Sequence, residues 1–410
     1  MFAGAAIGQA IGGGGVLFLS AYTGFSATFF FVALAILAVT CLVVLPMKEA
    51  AVEAVVQAGH EAESALRKAG REMREFAVES FRAFLATRGA FAGVAFNLLP
   101  AGAMALGLAT RSSLSAEFGL SNTDAAQLEL WSNVIAAGGM VLGGWLSDRF
   151  GRRLTLFTYI ALMSLPTAWL AWRLQQLGYI MPRDPGSGPN PLAPVLASAL
   201  WVSSLVFQFF MGLMYGTRSA IMMDVTNPKV AGTQFTAYMA MANLAIAYSA
   251  TWHGLSAEAL GYPKTLFIDA CVGLLSLLVL PLLKPVALAE AAGMAAKRAR
   301  LLGWILAIAC LAWLPFAHWG AQLGAAQGIV NTFFTLGFIA SGVLLLAAAA
   351  LLPRSIFTRA APWMALALLL LYARRFFDPS LVLQASTSLV ALAAALMLLK
   401  LARHSWRELD

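Results

Sequence analysis

Runs of about 20 residues with almost no charge recur along this chain, and short charged stretches separate them. The stretch 154–172, LTLFTYIALMSLPTAWLAW, has no charged side chain at all. A bilayer core is crossed by about 20 helical residues. Within it every backbone N–H and C=O must be satisfied internally, so a spanning segment is a helix or part of a closed barrel. Barrel strands alternate apolar and polar residues over about 10 positions. These runs are continuous, which excludes a barrel. Composition agrees: 60% of residues are hydrophobic and 11% are charged, against about 25% charged in soluble domains. The fold class that follows is all-α, a polytopic membrane helix bundle.

Hydropathy places about twelve spans, at 4–23, 25–46, 89–110, 126–147, 154–172, 194–214, 234–254, 264–284, 301–317, 325–352, 360–373 and 380–401. Most of the 27 Lys and Arg fall on one side if the segment around 148–153 faces the cytoplasm. Only Arg111, Arg173, Arg183, Lys264, Arg374 and Arg375 then lie opposite. The positive-inside rule therefore puts both termini in the cytoplasm. The pair Arg374/Arg375 is the local exception. The net charge of +8 is carried by these short loops, so no nucleic-acid partner is expected.

Residues 47–88 differ in kind. Charged and apolar residues alternate there at helical spacing, without proline, which predicts an amphipathic cytoplasmic linker, a membrane-surface helix or a partner-binding arm. The stretch 178–191 is rich in Pro and Gly and predicts an irregular outer loop. Cys41, Cys271 and Cys310 sit in apolar segments without ligand spacing, so neither a disulfide framework nor a metal is expected. No nucleophile elbow, Walker loop or zinc-protease motif occurs. No catalytic residue, enzyme activity or cofactor is therefore expected, and the chain by itself holds no ATP-driven pump motif. GGGG at 12–15 lies inside an apolar run with no lysine following it and is not a phosphate cradle.

One short knot of charge interrupts the apolar pattern. Residues 143–153 read GGWLSDRFGRR, with one acid and three arginines between two spans. An acid so near the bilayer needs partners, and neighbouring guanidiniums supply them. The pattern G-x-L-x-D-R-x-G-R-R resembles the signature loop of the major facilitator superfamily. By that resemblance Gly144, Asp148, Arg149, Gly151, Arg152 and Arg153 form a conformational latch that biases the outward-facing state. The charged stretch 47–88 lies ahead of the motif, as the family's central loop would. The resemblance thus implies that 1–46 holds the last two helices of an N-terminal half and 89–284 a six-helix C-terminal half. Residues 285–410 would be about four appended helices. On this count the family's first four helices are missing. AGTQFTAYMAMANL at 231–244 and LSAEALGYPKTLFIDA at 255–270 resemble the AmpG-like branch, which holds muropeptide permeases and related acetyl-CoA transporters. NLLPAGAMALG at 97–107 resembles the seventh helix of such proteins.

Polar residues inside spans are the functional suspects. Asp269 is the acid inside 264–284 and is a candidate proton-coupling carboxylate, or else a surface acid paired with Lys264. Gln208 and Asn243 are placed to hydrogen-bond a polar substrate or to join helices. Asn97 precedes Pro100, where a helix break would line a cavity. Gln234 and Tyr238 share a helix face and suit a cytoplasmic gate or a binding site. His253 and Glu258 read as a proton shuttle or a solvated interfacial pair, and Arg218 and Asp224 read as residues of a cytoplasmic turn. Trp131, Trp169, Trp172, Trp201 and Trp252 read as interfacial anchors. The expectation is a multi-pass inner-membrane transporter of a small polar metabolite, working by alternating access with proton coupling. The partners are the solute, protons and the lipid bilayer. A non-transporting remnant or membrane sensor-scaffold is the alternative.

Overall fold

The structure is a computed structural model and describes residues 23, 25–44, 46, 65–179, 190–284, 294–324, 326–373, 381–404 and 406. All but the last residue of the first expected span, most of the 178–191 loop and Arg374/Arg375 lie outside these residues. The described residues form helices and no strands. Helix α1 is Phe25–Val39, continued by a π-turn at Thr40–Val44. Then follow α2 (Ala65–Ala86), α3 (Arg88–Leu98), α4 (Ala109–Glu117), α5 (Asn122–Phe150), α6 (Arg152–Gln176), α7 (Ala193–Asp224), α8 (Ala231–Leu260) and α9 (Tyr262–Gly273). After short turns through Leu282 come α10 (Met294–Trp319), α11 (Ala326–Leu351), α12 (Ile356–Ala373) and α13 (Leu381–Arg403).

Among the described residues, six segments are long and apolar enough to cross a membrane. They are α6, α7, Tyr262–Leu282, α10, α11 and Ala385–Arg403. Two shorter apolar helices, Phe30–Leu42 and Ile356–Leu371, accompany them. At 29 and 30 residues, α5 and α8 are long enough. Their glycine, asparagine, serine and tyrosine residues dilute the hydropathy.

Two buried cores organise the chain. One joins α3 to α9 around Phe96, Leu106, Phe118, Phe207 and Tyr238. The other joins α10 to α13 around Trp313, Leu345, Leu398 and Trp406. Helix α8 packs against α11, with Tyr248 and Trp252 meeting Ile329 and Leu336. The amphipathic α2 touches both cores. Its Leu85 is buried in the second, and the Leu85 carbonyl accepts from Arg298 Nη1 at 2.5 Å. Its Arg74 donates to the carbonyls of Ala350 and Leu351 at 3.2 and 3.4 Å. A cation there complements the negative C-terminal end of α11.

The tightest contact is the crossing of α5 and α7. Gly139 and Gly143 on α5 face Gly212 and Gly216 on α7, four residues apart on each helix. A Cβ at any of the four would strike backbone atoms of the opposite helix. The Thr217 hydroxyl donates to the Gly143 carbonyl across this seam at 3.2 Å. In a bilayer the hydrophobic effect does not drive helices together, so close backbone approach supplies the attraction. Gly144, by contrast, has open space where its Cβ would be; only the first glycine of the GG pair makes the close approach.

The segment expected as one span at 89–110 is broken. Pro100 has no N–H to continue a helix, and Gly102 takes a φ of +84°. Helix α3 therefore stops at Leu98, and after a single 3-10 turn at Ala105–Gly107 the chain resumes α-helical form at Ala109. The turn at 148–153 also differs from expectation. Gly151, at φ +90°, alone separates α5 from α6, and its N–H donates to the Ser147 carbonyl at 3.0 Å. Hydropathy trims both spans because charged residues occupy the last turn of α5 and the first turn of α6.

Replacing Gly143 or Gly212 by valine is expected to destabilise the bundle by about 1–3 kcal/mol through overpacking. Gly144→Ala is expected to leave stability unchanged or slightly raised. Melting followed by tryptophan fluorescence in detergent checks both.

Candidate functional site

Breaking a helix inside a membrane frees backbone groups, and each freed group needs a partner. The break at 99–108 meets that demand in detail. The Leu98 carbonyl accepts from the Tyr248 hydroxyl at 2.7 Å. Gly102 N–H donates to the Gly273 carbonyl at 3.0 Å, an approach that a side chain at Gly273 would block. Ala103 N–H donates to Ser164 Oγ at 3.3 Å. Met104 and Ala105 N–H both donate to Asp269 Oδ2 at 2.8 Å. Asp269 and Gly273 lie one turn apart on α9 and together hold the break.

The other oxygen of Asp269 meets His253. The Asp269 Oδ1 to His253 Nε2 distance is 2.8 Å, and both side chains are fully enclosed, at 1% and 0% exposure. Lys264 is not its partner. The ring of Trp252 stands edge-on to the imidazole, with centroids 4.3 Å apart. His253 Nδ1 has no hydrogen-bond partner among the described residues. The imidazole lines a cavity of ≈ 340 Å³ shared with Thr110, Ser113, Glu258 and Tyr262. The expectation of an interfacial His253–Glu258 pair is thus corrected: Glu258 is exposed, and His253 is buried against Asp269. Helix α8 runs on to Leu260, so His253 is two turns inside the helix rather than at its end. Trp252, 4% exposed, belongs to this cluster and is not an interfacial anchor.

A second polar cluster lies at the opposite end of α5, α6 and α7. Asp148 and Arg149 occupy the last turn of α5, and Arg152 and Arg153 the first turn of α6. They are helical, not loop, residues. Arg152 Nη1 bonds both oxygens of Asp224, at 2.7 and 2.8 Å, and its Nε and Nη2 reach Asp148 at 3.3 and 3.2 Å. Each of these three charges opposes its own helix dipole. Asp148 and Asp224 sit at negative C-terminal ends, and Arg152 sits at a positive N-terminal end. The ion pairs offset those unfavourable placements. Arg149 lies over the Trp145 and Phe150 rings at 5.7 and 5.9 Å, while Arg153 is exposed.

The remaining suspects separate. Gln234 and Tyr238 form a closed hydrogen-bonded knot. Gln234 Nε2 reaches the Ala83 carbonyl and Tyr238 Oη, Gln234 Oε1 accepts from Asn227 N–H, and the Tyr238 hydroxyl donates to the Ala90 carbonyl. The knot ties α8 to the junction of α2 and α3. Gln208 is buried, with its Oε1 unpartnered. Asn97 is fully enclosed and accepts from Arg218 Nη2 at 2.7 Å. Asn243 lines a cavity that also contains Arg218. Arg218 and Asp224 had read as residues of a cytoplasmic turn. They are on α7, which continues ten residues past the expected span end at 214.

Removing either partner of the Arg152–Asp224 pair is expected to cost about 0.5–1 kcal/mol, since both groups are partly exposed. The double variant Arg152→Gln/Asp224→Asn should cost less than the two single changes added together. A double-mutant cycle on melting curves measures that coupling.

Residues 1–250 match the family model of the Major Facilitator Superfamily. That match covers the Asp148–Arg152–Asp224 cluster and ends just before His253 and Asp269. No curated protein and no solved structure matches the chain.

Proposed function

Because the chain belongs to the Major Facilitator Superfamily, a family of multi-pass membrane transporters, we propose that it carries a small polar metabolite by alternating access coupled to protons. The observation that carries the coupling is the enclosed Asp269–His253 pair at the break between α3 and α4. Ionisable groups buried at membrane depth are costly, and proton relays are among the functions that retain them. A proton arriving from the cavity reaches His253 Nδ1, the free nitrogen. The Nε2 proton then moves across the 2.8 Å contact to Asp269 Oδ1, leaving a neutral imidazole and a neutral carboxyl group. That carboxylate holds the N–H groups of Met104 and Ala105, so its protonation loosens the break. Charge state and backbone geometry are thereby linked.

The Asp148–Arg152–Asp224 cluster is the conformational latch of this reading. Two carboxylates share one guanidinium, and opening costs little because the pairs are partly exposed. In the same reading, 89–284 is the six-helix C-terminal half, and 1–46 contributes the last two helices of the N-terminal half. The amphipathic segment 47–88 links them on the cytoplasmic face, and 285–410 adds about four helices to a total of about twelve. The membrane is the inner membrane. The AmpG-like resemblance of 231–270 makes a muropeptide or acetyl-CoA the first solutes to test.

Full-length protein in proteoliposomes is expected to accumulate one of these solutes when a pH gradient is imposed. Asp269→Asn and His253→Gln should abolish gradient-driven accumulation while retaining exchange of labelled for unlabelled solute. Uptake indifferent to the gradient, or variants that accumulate solute like the wild type, would refute proton coupling through this pair.

A further inference from the structure

Arg218 is 3% exposed and forms no ion pair among the described residues. The acid nearest to it on its own helix, Asp224, is occupied by Arg152. What Arg218 has instead is one neutral acceptor, Asn97 Oδ1 at 2.7 Å, and the Phe96 ring at 5.6 Å. Its Nε is buried without a partner. A guanidinium does not shed its proton in a protein, so the charge stays. A buried charge without a counter-charge is strongly unfavourable.

The missing counter-charge has a place to sit. Arg218 lines a cavity of ≈ 200 Å³ between α7 and α8, together with Tyr215, Ser219, Asn243, Met239 and Ala242. No acid lines it. The Asn243 side chain, exposed at the mouth, and the Tyr215 phenol add hydrogen-bonding groups to the lining. The planar fork of arginine matches a carboxylate or phosphate with two parallel hydrogen bonds. The apolar remainder of the lining suits the carbon skeleton attached to such a group.

We infer that this cavity is an oxyanion-binding site, for a carboxylate or phosphate group, with Arg218 as its anchor. That the anion is part of the transported solute rests on the transport reading above; the existence of the site does not.

Full-length protein in discs of neutral phosphatidylcholine is titrated with inorganic phosphate at constant ionic strength, and melting is followed. Wild type is expected to melt at a saturably higher temperature. Arg218→Gln should bind phosphate at least about tenfold more weakly, the loss of a charged hydrogen-bonding partner. Ser219→Asp is the variant that remains informative if Arg218→Gln fails to fold. It supplies a carboxylate inside the cavity and should melt above wild type without phosphate, and respond no further to it. A second set of discs containing phosphatidylglycerol separates the sources. A stabilisation that Ser219→Asp abolishes, seen with this lipid and not with phosphate, identifies a lipid headgroup as the anion. The same stabilisation with phosphate identifies a solute. An equal rise in all three proteins reflects exclusion of phosphate from the surface and overturns the site, as does no rise with either anion. Because binding is measured without a gradient, its failure leaves the transport assay independent.

Discussion

The crossing of α5 and α7 sets the positions of much else in this molecule. Four glycines let two backbones touch, which fixes the helices in register along their length. At one end of the seam that register brings Asp224, the last residue of α7, to Arg152 at the start of α6. Just under two turns before that end of α7 it leaves Arg218 facing Asn97 on α3. Both arrangements join side chains more than 70 residues apart in sequence. Neither is available to helices held apart by larger side chains.

The broken segment 99–108 applies the opposite principle. Regular helix satisfies its own backbone, and here regularity is given up for ten residues. Partners from α6, α8 and α9 restore the lost hydrogen bonds. The carboxylate of Asp269 is the centre of that repair and is also half of an ionisable pair. One side chain thus caps the freed backbone amides and meets His253.

Much of the architecture was legible in the sequence. The uncharged runs announced a helical membrane bundle because lipid offers the backbone no other partner than itself. GGWLSDRFGRR announced the family, and it marked the place where charges gather. Pro100 beside Asn97 marked the helix break. What was missed has a common cause. Hydropathy ends a span at the first charged residue, so α7 was cut short before Arg218 and α8 near His253. Both residues were then placed in turns or at the surface, although each is enclosed. Asp269 drew notice as an acid in an apolar run, but its partner lay 16 residues back on another helix.

The sequence by itself determined that this chain is helical, lies in a membrane and carries the charge motif of a transporter superfamily. These properties depend on residue type and local spacing, which the bilayer reads directly. Only the tertiary structure decided which charges meet. Asp148 and Asp224 share Arg152, Asp269 takes His253 and two backbone amides, and Arg218 is left with no acid among the described residues. Pairing depends on how helices cross, and crossing depends on whether facing glycines fall opposite one another. No single segment carries that information.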